Sequence, residues 1–437
     1  MINKISSIFR NKEVLNRILF TLVVLFVFKI GSTITVPLVD VSKVTIGEAS
    51  DIFGLMNILG GGALTKFSIF ALSVSPYITA EIVIQLLSMG VLPALEDLTK
   101  QGAQGRKKLD NATRALTLLL SAVQAYGIIV TMQYQYGLAP LGGGTFSTWD
   151  YIYLIIVCVA GTFLLMWMAD QITAKGVGNG LSMIIFAGII TTIPYQISTA
   201  FTTFVKGSGS DSGAMFGGII NFCLYLLSYA ALIIFVIFME SSVRKIPMQS
   251  ASTNFQARTK DVSYLPIKLN SAGVIPVIFA SSILTAPTII MTFLQIPKSH
   301  PVYAILNIGG TYKGVPWGLM IYILLILLFT FFYTNIQLDP QKMSENFAKS
   351  GVYIPGIRPG KETEKHLRRV INRVTSIGAL CLMVVSALPM VLTMALNLPS
   401  AIAFGGTGLI IVVGVITETA KQIDGRLASK DYQGFIE

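Results

Sequence analysis

Gly217-Gly-Ile-Ile-Asn-Phe-Cys-Leu-Tyr-Leu-Leu-Ser-Tyr-Ala-Ala-Leu-Ile-Ile-Phe-Val-Ile-Phe-Met239 contains no charged side chain. A helix needs about 20 apolar residues to cross the hydrocarbon core of a bilayer. Inside lipid every backbone amide must find its partner within the segment. The stretch therefore reads as a membrane-spanning helix. Working outward from it, nine further apolar runs have the same character: 18–36, 68–92, 115–136, 151–170, 181–204, 271–294, 315–335, 374–396 and 401–420. Composition agrees, since 53% of the 437 residues are hydrophobic and only 12% are charged. A soluble chain of this length needs a larger charged surface to cover its core.

The connections between runs carry an orientation signal. Of the lysines and arginines, 26 fall in the N-terminal segment, in loops 93–114, 171–180, 240–270 and 336–373, and in the C-terminal tail. The opposite loops hold five, namely Lys43, Lys66, Lys206, Lys298 and Lys313, and Lys29 lies within the first run. The face rich in Lys and Arg is the cytoplasmic one by the positive-inside rule, which puts both termini in the cytoplasm. The basic N-terminus runs into the first apolar run without a small-residue cleavage pattern, so that run is read as a retained span.

Ten runs divide as five plus five, into residues 1–205 and 206–437. An odd count in each half permits an inverted repeat with a pathway at the interface, as in many transporters. Several segments break the pattern of plain spans. Residues 52–64 are apolar and glycine-punctuated but too short to cross. They fit either a re-entrant segment enclosed by protein or an amphipathic external loop. Pro76, Pro194, Pro276, Pro287, Pro389 and Gly405-Gly406 allow kinks and close packing. Gly351-Val-Tyr-Ile-Pro-Gly-Ile-Arg-Pro-Gly360 reads as a stiff, hairpin-like loop, because two prolines restrict the backbone around one arginine. A charged helical stretch follows it from Lys361.

Little points to covalent or metal chemistry. Cys158, Cys223 and Cys381 each sit in an apolar run without a CxxC pair and read as small core residues. His300 and His366 are far apart. No phosphate loop, HExxH or GxSxG motif occurs. Lys175-Gly-Val-Gly-Asn-Gly180 is glycine-rich, but it lies between two spans and follows no strand, so it reads as a tight interhelical turn. Glu81 is the one acid well inside a run, which suits a proton-coupled secondary transporter or a helix lining an aqueous vestibule.

Short motifs recur in a recognisable order. They are Phe67-Ser-Ile-Phe-Ala-Leu with Ser75-Pro-Tyr-Ile-Thr-Ala80, Gly102-x-x-Gly105-Arg-Lys-Lys108, and Gln171-Ile-Thr with Gly178-Asn-Gly180. Leu269-Asn-Ser-Ala-Gly-Val-Ile-Pro276 with Phe279-Ala-Ser-Ser282, Tyr353-Ile-Pro-Gly-Ile-Arg-Pro-Gly360 and Phe404-Gly-Gly-Thr-Gly-Leu-Ile-Ile411 complete the series. Together they resemble the SecY family of protein-conducting channels.

That resemblance implies an all-α membrane protein, with ten transmembrane helices in two inverted five-helix halves around a central hourglass pore. It implies a constriction ring at Val74, Ile78, Leu181, Ile185, Ile278 and Ile411. Residues 52–64, with Ile52, Phe53, Leu55, Met56, Ile58 and Leu59, would be the plug helix. Thr79, Gln85 and Asn270 would sit on the lateral gate between spans two and three and spans seven and eight. Lys245, Arg358 and Lys361 would belong to the docking surface for the SecA ATPase and the ribosome. The implied partners are SecE, SecG, signal peptides and preproteins, SecDF, YidC and membrane lipids. The location is the bacterial cytoplasmic membrane, with no cofactor and no enzymatic step. An aliphatic ring suits this task because it closes around any sequence without binding it and resists wetting by ions. Read without the resemblance, each ring residue is an ordinary packing aliphatic. Two departures stand out. Loop 240–270 is less basic than the family pattern, and Glu81 replaces a small or neutral residue.

Overall fold

The computed structural model describes residues 11–41, 44, 57, 60–88, 92–141, 144, 146–206, 212–250, 263–293, 300–307, 310, 312, 314–395 and 406–433. In chain order the helices are α1 Lys12–Gly31, α2 Ser75–Leu86, α3 Pro93–Lys100, α4 Gly102–Tyr136, α5 Thr148–Lys175, α6 Gly180–Phe201 and α7 Ser212–Ser241. They continue with α8 Ile275–Phe293, α9 Pro301–Leu306, α10 Trp317–Gln337, α11 Pro340–Lys349, α12 Lys361–Ala395 and α13 Gly406–Gln433. Among the described residues, each apolar run carries one of these, and α3, α9 and α11 are short connectors. Seven helices among the described residues are long and apolar enough to cross a membrane on that ground alone.

Local chemistry sets the helix starts. Asn11 accepts the Glu13 amide at 3.2 Å before α1. Ser147 and Asp150 form a reciprocal capping box before α5. Asp339 accepts the amides of Gln341 and Lys342 before α11. The run 68–92 is helical only from Ser75. Phe67 and Ser73 hold positive φ, at 40° and 53°, which a right-handed helix cannot contain, and Pro76 fits only the first turn. Residues 60–66 and 69–74 are turns, and Ser68 bridges to Thr35.

The basic-face connections are more ordered than loops. Segment 93–114 holds α3 and the first turns of α4, and segment 336–373 holds α11 and the charged first turns of α12. Segment 240–270 forms an antiparallel hairpin of β3 Val243–Ser250 and β4 Ser263–Lys268, in register Val243↔Lys268 and Ile246↔Leu265. β3 also pairs with β5 Val352–Tyr353 through Gln249↔Tyr353. The proline-rich loop is thus the turn after a third strand rather than a separate hairpin. Ile246, Ile267, Ile354, Leu367 and Ile371 bury a common core, so sheet and α12 form one body. On the other face a two-residue ladder pairs β1 Val39–Asp40 with β2 Ala139–Pro140.

In the membrane region one core gathers Leu64, Phe67, Ile129, Met132 and Leu154. A second gathers Val277, Tyr322, Ile326, Leu382 and Ile410. Leu227 and Phe238 on α7 are exposed, as a lipid-facing surface requires. Cys158 is a buried core residue, but Cys223 is exposed and Cys381 half-buried, so the reading of three core cysteines holds for only one. Cys223 lies on α7, whose outward face needs no protein partner in lipid.

Candidate functional site

The site is built where α2, α6 and α13 converge. Asn179 accepts the amides of Leu181 and Ser182, at 3.1 and 3.4 Å, and so starts α6 at Gly180. Gly180 lies against α5 so closely that a Cβ would stand 1.9 Å from the Ala169 carbonyl oxygen. The connection 176–179 is bonded on three sides. The Val177 amide donates to Thr21 Oγ1 on α1 at 3.0 Å, the Gly178 amide to Gln422 Oε1 on α13 at 3.1 Å, and the Gly180 amide to Thr173 Oγ1 at 2.9 Å. It is the tight interhelical turn expected from the glycine spacing.

α2 and α8 begin alike. Val74-Ser-Pro-Tyr-Ile78 precedes and opens one, and Val274-Ile-Pro-Val-Ile278 the other. The residue before each valine is left-handed, Ser73 at φ 53° and Gly273 at φ 63°. The carbonyl of Val74 accepts the amides of Tyr77 and Ile78, and that of Val274 the amides of Val277 and Ile278. This recurrence, 200 positions apart in the numbering, was visible in the sequence as Val-x-Pro-x-Ile but is short enough to overlook.

Ile78, Ile185 and Ile411 share one apolar cluster with Ile189, Val412 and Val415, and Val274 packs against it. Val74 and Leu181 belong to the adjoining cluster around Phe28, Leu165 and Ile184. Met183 touches both clusters, and Ile278 is half-buried outside them. Three of the six ring candidates are therefore gathered at one cluster, two belong to the adjoining one, and Val274 packs where Ile278 does not.

The other candidates separate into groups. Ile52, Phe53, Leu55, Met56, Ile58 and Leu59 lie outside the described residues. Near the end of that segment the Lys29 ammonium donates to the Gly61 carbonyl at 2.8 Å, a contact that the sequence reading missed. Intramembrane lysines commonly pair with backbone carbonyls, and this pairing gives Lys29 a partner 32 residues away. Thr79 Oγ1 donates back to the Ser75 carbonyl at 3.0 Å. Gln85 lies near the Tyr333 hydroxyl of α10, so polar side chains face each other across α2 and α10. The third helix of this seam, α4, packs on α8. Asn270 is elsewhere. It is 4% exposed and its Nδ2 donates to Glu240 Oε1 at 2.6 Å. Glu240 was missed because it falls one residue past the uncharged run. Glu81 is exposed on α2.

Lys245, Arg358 and Lys361 are all exposed on the single body of β3–β5 and α12. The loop is braced from within. Thr363 Oγ1 donates to the Arg358 carbonyl at 2.9 Å, and Ser344 Oγ to the Gly360 carbonyl at 2.8 Å. Ile354 is buried beneath.

Comparison with known proteins meets this geometry. The SecY family profile matches residues 68–420. The chain is 41% identical to protein translocase subunit SecY of Mycoplasma capricolum over 440 residues, covering 99% of this chain and 91% of the relative. It is 40% identical to protein translocase subunit SecY of Bacillus subtilis, covering both chains fully. Among solved structures it resembles a protein-conducting channel with TM-score 0.66 at 18% identity, over 94% of this chain and 92% of that one. It also resembles Sec61 in the canine ribosome–channel complex, with TM-score 0.64 at 17% identity and the same coverage. The fold is therefore the multi-pass, ten-helix membrane architecture of those channels.

Proposed function

The chain belongs to the SecY family of protein translocase subunits, and from that premise we propose how its parts divide the work of a protein-conducting channel. It is the channel subunit of a translocon. Residues 1–205 and 206–437 act as two halves, a reading supported by the shared start of α2 and α8. Unfolded preproteins pass between the halves. Apolar segments, signal peptides among them, leave sideways into lipid along the seam of α2 and α4 with α8 and α10.

The observation that carries this reading is the cluster of Ile78, Ile185 and Ile411, drawn from α2 and α6 of one half and α13 of the other. Those side chains, with Val74 and Leu181 in the adjoining cluster and Ile278 on the first turn of α8, form the neck of an hourglass pore. An apolar neck resists wetting, and so resists ion leak, without selecting among chain sequences. Residues 52–64 plug the external funnel, and the Lys29–Gly61 bond steadies the end of that segment. Thr79 and Gln85 tune the gate from the seam, and Asn270 acts on it only from a distance, through its bond to Glu240. Lys245, Arg358 and Lys361 dock SecA or the ribosome. The ribosome as a partner follows the canine relative, whose complex holds one. SecE and SecG complete the heterotrimer, in the bacterial cytoplasmic membrane with both termini inside. No bond is made or broken by the chain itself.

Cysteines at 78 and 411 should crosslink to a secretory chain stalled in transit, while a cysteine at the exposed Ile416 of α13 should not. Crosslinking at 416 but at neither 78 nor 411 would move the pathway elsewhere and overturn this assignment.

A further inference from the structure

The body that carries Lys245 and Arg358 must act on the membrane region through a limited set of connections. One runs from β4 into α8. At its top the Leu269 amide donates to the Ser242 carbonyl at 2.9 Å and closes the base of the hairpin. The Leu269 carbonyl oxygen lies so near Gly378 of α12 that a Cβ there would stand 2.2 Å away. One residue further the backbone leaves the sheet, and Asn270 turns its side chain onto Glu240, in the last turn of α7.

This pair is buried, with Asn270 4% and Glu240 8% exposed, and its bond is short at 2.6 Å. With Glu240 ionised, the carboxylate can only accept, and the amide nitrogen faces it. Asn270 Oδ1 is left buried with no partner among the described residues. Separating the two side chains would strand a buried carboxylate as well, which costs more than the bond itself contributes. The pair therefore moves as one piece, and α8 begins five residues beyond it.

We propose that Glu240–Asn270 is the joint that passes displacement of the partner-docking body to α8, and so couples partner engagement to opening. It rests on the channel reading above, specifically on docking at Lys245 and Arg358 and on movement of α8. Both residues are positioning residues: they touch neither the partner nor the translocating chain.

The test uses the complete translocon in proteoliposomes with SecA and a preprotein, reading SecA binding, resting ion leak and translocation rate separately. Asn270→Leu keeps the volume and removes the donor. It should cut translocation about tenfold while SecA binding and leak hold within about twofold, since a hydrogen bond to a charged group is lost. Glu240→Gln keeps an acceptor oxygen and should stay within about threefold of the parent. Glu240→Gln combined with Asn270→Asp re-forms the bond with donor and acceptor exchanged, and should recover translocation to the same level.

Wild-type translocation by Asn270→Leu overturns the proposal. So does an exchanged pair as impaired as Asn270→Leu, or a loss in which binding, leak and translocation all fall together. If Asn270→Leu fails to accumulate, the exchanged pair decides alone. Arg358→Glu in parallel separates the two levels. Normal secretion by that variant removes the docking reading and this proposal with it. Its failure, alongside normal secretion by Asn270→Leu, removes only the joint.

Discussion

Two connections on the basic face join successive membrane helices by opposite means. After α5, the amides of Val177, Gly178 and Gly180 go to side chains of α1, α13 and α5 respectively. After α7, the hairpin of β3 and β4 satisfies its amides in its own ladder, and it reaches the membrane helices through Ser242, Leu269, the Glu240–Asn270 pair and the apolar core it shares with the first turns of α12. The first connection is part of the membrane core and ties α1 to α13. The second is a projecting body with its own apolar centre. A body that carries its own hydrogen bonds can be pushed by a partner without unpairing the backbone beneath it. A turn whose amides belong to its neighbours cannot.

The largest effect expected from this contrast is at Gly180. In Gly180→Val the new side chain must displace the Ala169 carbonyl, 1.9 Å from the Cβ position, and backbone yields less readily than a side chain. The cost should exceed about 3 kcal/mol, and membranes should contain little folded complex by size-exclusion of the solubilised material. Normal accumulation would mean that the turn is not pinned as described.

Next is Arg358→Glu. The side chain is exposed and only its carbonyl is used locally, so the fold should tolerate the change. Motor-driven secretion should fall by more than about tenfold, because guanidinium makes bidentate contacts that the reversed charge repels. Abundance and association with the small subunit should hold. A parallel fall in abundance would erase the distinction between the two connections.

Thr21→Val tests the pinned turn more gently. The substitution is nearly isosteric but leaves the buried Val177 amide without its acceptor. About 1–3 kcal/mol should be lost, the usual penalty of a stranded buried donor. A lower melting temperature of the solubilised complex would register it, and an unchanged one would count against the role of Thr21.

The two connections also differ in how they could be read from sequence. Gly176-Val-Gly-Asn-Gly180 announces a turn because glycines and a capping asparagine are local signals. The apolar runs were equally legible, since uncharged stretches such as 217–239 have few other uses. The hairpin was not. Its period of two is confined to Ile246 with Met248 and Leu265 with Ile267, and Pro247 and Pro266 argue against strands. α2 was over-read because nothing in an apolar run reveals that Phe67 and Ser73 are left-handed. Ile78, Ile185 and Ile411 came from motif resemblance, while Val274 emerged only from packing. Glu240 and Asn270, 30 positions apart, carry no local sign of each other.

The smallest expected effect sharpens the comparison most. Gly356 sits in the docking loop with φ 81°, and a Cβ added there meets nothing within 4 Å. Gly356→Ala therefore suffers strain without crowding, the reverse of Gly180. A left-handed alanine costs about 1–2 kcal/mol, and that cost falls on a loop held from within by Thr363, Ser344 and buried Ile354. Among the described residues, the membrane helices share no hydrogen bond with this glycine in the way that they share the turn amides. The melting temperature of the membrane region should stay unchanged, with secretion reduced by less than about twofold through a slightly misplaced Arg358. Differential scanning fluorimetry and a secretion assay on one preparation would measure both. If Gly356→Ala lowers the melting temperature as far as Thr21→Val does, the body is not thermodynamically separate from the membrane core, and the two connections are one structure after all.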